Sequence, residues 1–258
     1  MDFTGSHHGI LKSIVTILKS YMVNIDTQLN RYSDFQNLDI DFLKGFSYSS
    51  SDRNLDFVDN LRRYFNRDNI DDYTIKFWII NKWGGISSFK DNHEKTVNSN
   101  RVKIDTFLKK IEDKTKLTKP LFEVISSLSK VASFSDSSRF FVYDSRVIYS
   151  LNWLFLKNDI KEIKFFPMPQ GRNAKLSFFD LDTIIKLKRK NDYTELDVSN
   201  LYFDHTDAYY IYCNLIKELA QELIPNKPSY YLEMFLFTLV NKIHEEIREM
   251  IDISLSNK

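Results

Sequence analysis

Helix breakers are scarce in this chain. Six glycines and five prolines serve 258 residues, and between them charged side chains are interleaved with apolar ones at helical spacing. So few turn-formers with a 3.6-residue period point to a mainly helical fold and argue against an all-β one. At 43% hydrophobic and 15% aromatic residues the chain can bury a sizeable core, as one large domain or two small ones. The expected fold class is all-α.

The single cysteine, Cys213, excludes an intrachain disulfide and a cysteine-rich zinc site and fits a reducing compartment, so a cytoplasmic location is expected. The apolar run Ile10–Val23 is interrupted by Lys12 and Lys19 and reads as an amphipathic helix, not as a signal or membrane span. No membrane partner is expected. The formal charge of +1 does not announce a nucleic-acid partner, but local charge does more. Between Arg101 and Lys130 eight basic residues face four acidic ones.

The periodicity predicts helices over Ile10–Leu29, Asn54–Phe65 (capped by Asp52), Tyr73–Trp83, Arg101–Ile111, Thr206–Leu223 and Tyr230–Ile253. A polar stretch with Gly45 and four serines separates the first two, and Asp91–Asn100 reads as a loop. Gly84-Gly85 should end the third where the chain needs positive φ. Trp83 would then either fold back onto the core or, with open backbone amides, meet a ligand. Lys164–Asn173 (KFFPMPQGRN) is a punctuated loop, either a rigid connector or a carrier of function. Leu176–Leu187 is ambiguous between strand and helix, and the basic run Lys186–Lys190 reads as a solvated face.

The usual catalytic constellations are missing. The five histidines have no metal-ligand spacing, so no metal or other cofactor is expected. No GxSxG, Walker or GxGxxG pattern occurs, Cys213 among aromatics reads as a structural thiol, and Glu245-Glu246 reads as helix surface. What remains is the stretch Leu121–Leu156, which puts Lys130 in one apolar helical pattern and Asp144 at the start of the next. A lysine attacks an electrophilic carbon only as the neutral amine, and the flanking Leu128, Val131 and Phe134 would supply the desolvation it needs. An aspartate at the N-cap of a helix over Ser145–Leu156 would face backbone amides and a dipole that favour negative charge, and could stabilise a developing cation. The same two residues also read as a plain cap and a surface charge.

The stretch SKVASFSDSSRFFVYDSRVIYSLN resembles the signature region of the helix-hairpin-helix DNA glycosylases, most closely their 8-oxoguanine glycosylase branch. Lys130-Val131-Ala132 resembles the start of that family's lysine helix, and Val142–Val147 resembles its Val-Pro-x-Asp-x-x-Val element. The resemblance covers roughly forty residues. It implies that Lys130 is a Schiff-base nucleophile and that Asp144 assists departure of the base. Two departures mark this chain. The family's Leu-Pro-Gly-x-Gly hairpin is replaced by the glycine-free Val124–Ser129, and Lys130 and Asp144 lie only fourteen residues apart, which implies a truncated lysine helix.

On this reading the fold is two helical subdomains with a cleft. A helix-hairpin-helix-like one spans about residues 70–160, and the N- and C-terminal helices form the other lobe. The function expected is a DNA N-glycosylase that could also act as an abasic-site lyase on a damaged or modified base. The alternative is a catalytically inactive helical module that binds nucleic acid or protein. An extruded base must be stacked and its edge read, for which Trp83, Phe140, Phe141, Gln170, Arg172 and Asn173 are candidates, with Arg101–Lys119 for phosphates. Gly84, Gly85, Lys119, Ser127, Ser129 and Arg146 complete the nucleic-acid-facing set.

Overall fold

The computed structural model describes residues 6–22, 73–86, 94–170, 176, 178–189, 198 and 200–256. The expected helix Asn54–Phe65 with its Asp52 cap, the Gly45/serine stretch, Arg172, Asn173 and Lys190 lie outside them.

The fold is all-α. The helices are α1 (Ser6–Tyr21), α2 (Tyr73–Trp78), α3 (Glu94–Glu112), α4 (Lys119–Phe122), α5 (Ile125–Ser135), α6 (Ser145–Lys157), α7 (Leu181–Lys188), α8 (Ala208–Leu223), α9 (Tyr230–Thr238) and α10 (Val240–Ser256). Among the described residues the only strand-like pairing is one bridge, in which Phe165 and Tyr202 run parallel. No helix of the described residues is long and apolar enough to cross a membrane.

The architecture is built around α6. Its sequence, SRVIYSLNWLFLK, is apolar on every face, so the helix must be enclosed, and Val147 through Leu156 are all buried. Helices α1, α7, α9 and α10 pack against it. Burying side chains as large as Trp153 and Phe155 contributes about 2–3 kcal/mol each, which makes α6 the natural centre of the core. Buried apolar residues from Ile14 to Ile247 form a single cluster.

Several boundaries differ from the periodicity, each for a physical reason. Helix α3 begins at Glu94, seven residues before the expected start. Residues 94–100 of the polar segment read as a loop are therefore its first two turns, and Asn100 at their end is buried. After Trp78 the third predicted helix widens into a π-turn, Ile79–Trp83, closed by the Gly84 N–H donating to Ile79 O at 2.8 Å. The positive φ falls on Gly85 (65°), as expected at that turn. The last predicted helix is two, because at Leu239 the N–H bonds Leu236 O, three residues back, and the turn tightens. Thr238 Oγ1 donates to Phe235 O beside the break.

The ambiguous segment resolves as helix α7, N-capped by Asp180 through the Asp182 N–H. Its basic end is more than a solvated face: Lys188 Nζ donates to Leu156 O (2.6 Å), and the buried Arg189 pairs with Asp159 (3.0 Å). Both cations sit at the C-terminus of α6, where the helix dipole favours them. Glu246 also departs from its expected place on the helix surface. It is a half-buried hub that accepts from Trp153 Nε1 (2.9 Å) and the Tyr21 hydroxyl (2.9 Å) and pairs with Lys157 (3.0 Å), joining α1, α6 and α10.

Candidate active site

Between α5 and α6 the chain passes through Phe140–Tyr143, outside helix or sheet, and these four residues are buried. A buried segment outside helix or sheet must find partners for its backbone groups elsewhere, and here side chains supply them. The Tyr209 hydroxyl donates to Phe141 O (3.2 Å) and the Tyr212 hydroxyl to Val142 O (2.8 Å). The Val142 N–H donates to Glu233 Oε2 (2.6 Å), and the Tyr143 N–H to Ser129 Oγ (2.9 Å). Ser126 Oγ donates to Tyr143 O (3.1 Å). Tyr143 itself reaches across to Pro167 O (2.8 Å). Burial pushes the phenols of Tyr143, Tyr209 and Tyr212 well above their ordinary range, so all three remain donors.

This tethered link delivers Asp144 to the start of α6. Its backbone is extended (φ −98°, ψ 151°) and its Oδ1 accepts the Arg146 N–H at 3.0 Å, an N-cap as expected. The other carboxylate oxygen, Oδ2, lies 3.3 Å from Lys130 Nζ, with the lysine side chain 5% and the aspartate side chain 21% exposed. The same ammonium donates to Ser126 O, one turn back on α5, at 2.8 Å. Eleven residues of α5 suffice to bring the two groups together despite the short interval.

The π-turn completes the enclosure. Gly84 rests on the aliphatic stem of Lys130: a Cβ added there would meet Lys130 Cδ at 2.5 Å and Cε at 2.8 Å. Trp83 packs edge-on to Phe134, with ring centroids 4.8 Å apart. Lysine, aspartate and glycine thus come from α5, α6 and the end of the π-turn.

Other expected site residues fall elsewhere. Trp83, Phe140 and Phe141 are core side chains and cannot present a face to a base in this conformation. Ser127 and Ser129, expected to face nucleic acid, are likewise buried, and Ser129 accepts the Tyr143 N–H. The segment aligned with the family's hairpin is different too: α4 is a single turn, Glu123-Val124 links it to α5, and Ile125–Ser129 are already helical. Lys119, Gly85 and Gln170 are exposed. Arg146 stacks over the Phe237 ring at 4.5 Å from its centroid. Cys213 is buried, and burial pushes its thiol up to about 12, as befits a structural residue. Among the described residues no three histidine, cysteine or acidic side chains are grouped to hold a metal ion.

Sequence reasoning missed Ser126, Tyr209, Tyr212 and Glu233. A signal existed for one of them: Glu233 is the lone acid in the apolar run YYLEMFLFT, a placement that is rarely tolerated without a partner. What the fold and site define is an all-α protein with a buried lysine ion-paired to an N-cap aspartate. No protein-family model matches the chain, and neither does any curated protein or solved structure.

Proposed function

We propose that this protein is a DNA N-glycosylase that excises a damaged or modified base, with Lys130 as nucleophile and Asp144 as its electrostatic partner. The observation that carries the proposal is the 3.3 Å approach of Lys130 Nζ to Asp144 Oδ2, in a setting where the other carboxylate oxygen is held by the start of α6. The resemblance in the same residues supports it.

In this reaction the lysine first gives up a proton, for which the neighbouring carboxylate is the nearest base. The free amine pair bonds C1′ of the deoxyribose as the C1′–N bond to the base breaks, and the base leaves with the bond pair and takes up the proton that Asp144 received. Asp144, a carboxylate again, offsets the positive charge left on the sugar–lysine adduct. Loss of the amine proton to the ring oxygen opens the sugar as a Schiff base. From there water returns the lysine, or β-elimination cuts the strand.

Borohydride reduction in the presence of abasic or modified-base duplex tests the proposal. A covalent protein–DNA species is expected from the wild type and not from Lys130→Gln, and Asp144→Asn should slow base release. No trapped species and no released base across several lesions would reject it.

A second reading draws on the burial of Trp83, Phe140 and Phe141, which leaves these three aromatics unable to stack on a base. It is a catalytically inactive helical module that binds nucleic acid or protein. Duplex binding that survives both substitutions, with no base released by any form, would favour it.

A further inference from the structure

We infer that Glu233 and Tyr212 are positioning residues for Asp144: they grip the two sides of Val142 and so set where the carboxylate meets Lys130. The consequence for catalysis rests on the glycosylase reading; the geometry does not.

The link before α6 is held from two directions. Ser126 and Ser129 tie Tyr143 to α5, the helix that carries Lys130. Glu233 on α9 takes the Val142 N–H at 2.6 Å, and Tyr212 on α8 donates to Val142 O at 2.8 Å. Val142 stands two residues before Asp144, at most about 7 Å along the chain. A turn of its backbone therefore swings the cap. The Lys130–Asp144 contact has little tolerance for that, because 3.3 Å is already at the long end of hydrogen-bonding distance.

Glu233 is the informative member. It is 2% exposed on a helix whose Tyr230–Leu236 are all buried, and burying a carboxylate is costly. Apolar packing alone would place leucine or methionine there. A carboxylate makes a shorter and stronger bond to a backbone amide than a neutral acceptor does, and the 2.6 Å distance fits that role. Oε2 of that carboxylate holds the Val142 peptide, and the nearest functional group along the chain from that peptide is Asp144.

The test compares wild type with Glu233→Ala, Glu233→Gln and Tyr212→Phe. The first readout needs no DNA: the rate of Lys130 reductive methylation by formaldehyde and cyanoborohydride, followed by mass spectrometry. Glu233→Ala and Tyr212→Phe should raise that rate roughly tenfold, the scale of losing one buried hydrogen bond. Glu233→Gln, which keeps an acceptor, should stay within about threefold of wild type. The second readout is base excision at saturating duplex. It should fall by about a hundredfold in Glu233→Ala, as an ångström of misplacement does, with DNA affinity unchanged and a rescue by Glu233→Gln.

If Glu233→Ala gives no cooperative melt, Tyr212→Phe carries the test, since it keeps the ring and removes only the hydroxyl. Wild-type Lys130 reactivity in folded Glu233→Ala or Tyr212→Phe would overturn the inference. A wild type that releases no base defeats the glycosylase reading instead, and methylation still decides the clamp.

Discussion

Two adjacent glycines show how differently single residues can be constrained. Gly85 needs glycine for its backbone, with φ at 65° and nothing within 4 Å of an added Cβ. Gly84 has an ordinary φ of −81° but no room, since a Cβ would lie 2.7 Å from Ile80 O and 2.5 Å from Lys130 Cδ. Gly85→Ala should therefore cost about 1–2 kcal/mol as backbone strain and leave Lys130 in place. Gly84→Ala should cost about 1–3 kcal/mol by overpacking and displace the lysine stem, the flexible neighbour. Urea unfolding gives the costs, and Lys130 methylation tells the two variants apart. Asp144 carries two separable jobs as well. Asparagine caps a helix as well as aspartate does, so Asp144→Asn loses only the ion pair, whereas Asp144→Ala also loses the cap, a further ~1 kcal/mol. Both strand a buried ammonium, at a cost on the order of 3 kcal/mol. Adding Lys130→Met to Asp144→Asn should recover much of that loss in the same unfolding assay.

At the scale of elements, helix α6 is held by polar clamps as well as by its apolar faces. Asn152, buried at its middle, donates to Phe166 O (2.8 Å) and accepts the Phe166 N–H (2.9 Å), which fixes the loop that follows. Asn152→Ala leaves both backbone groups without that partner and should cost about 2–5 kcal/mol in urea unfolding. Glu246 adds a pH term. Burial pushes its carboxyl up, but bonds from Trp153, Lys157 and Tyr21 outweigh that and hold it below the ordinary 4.5. A carboxylate depressed in the folded state adds stability above the unfolded value, and loses it as the pH falls through the folded one. Stability should thus decline below about pH 4.5, with a smaller decline in Glu246→Gln; urea midpoints from pH 7 to pH 3 measure it. How much of this is legible in the sequence depends on the range of the interaction. The Asp144 cap can be read because it is local, an acid directly before an apolar run. The Glu233 bond cannot, because Val142 lies 91 residues away. The break at Leu239 is hidden because the apolar period continues across it. The first turns of α3 are hidden because EKTVNSN offers few apolar residues to set a phase.

For the whole molecule, the continuity of the core and the distribution of charge each make a prediction. Buried residues of α1 and α10 belong to one cluster with those of α3 and α5, so the chain should unfold in a single transition, with circular dichroism and tryptophan fluorescence superimposing. Two independently stable lobes would separate the two signals. Charge bears on the DNA reading. With a formal net charge of +1 there is no global attraction to a polyanion, and attraction must come from a local patch. Within the basic segment Lys116 is paired with Asp207 at 3.6 Å and Lys110 donates to Lys116 O. Lys109, Lys114 and Lys119 are exposed at and beyond the end of α3. If these three each displace a phosphate counterion, the log–log slope of affinity on salt should be about −3, and affinity should drop about fortyfold from 50 to 200 mM salt. Replacing the three with glutamate should abolish duplex binding. Lys130→Gln should leave the slope unchanged, because that ammonium is buried against Asp144 and meets no phosphate in the resting protein. Fluorescence anisotropy with a labelled duplex measures both quantities. A flat salt dependence would remove nucleic acid as the partner and leave a helical protein-binding role for the scaffold.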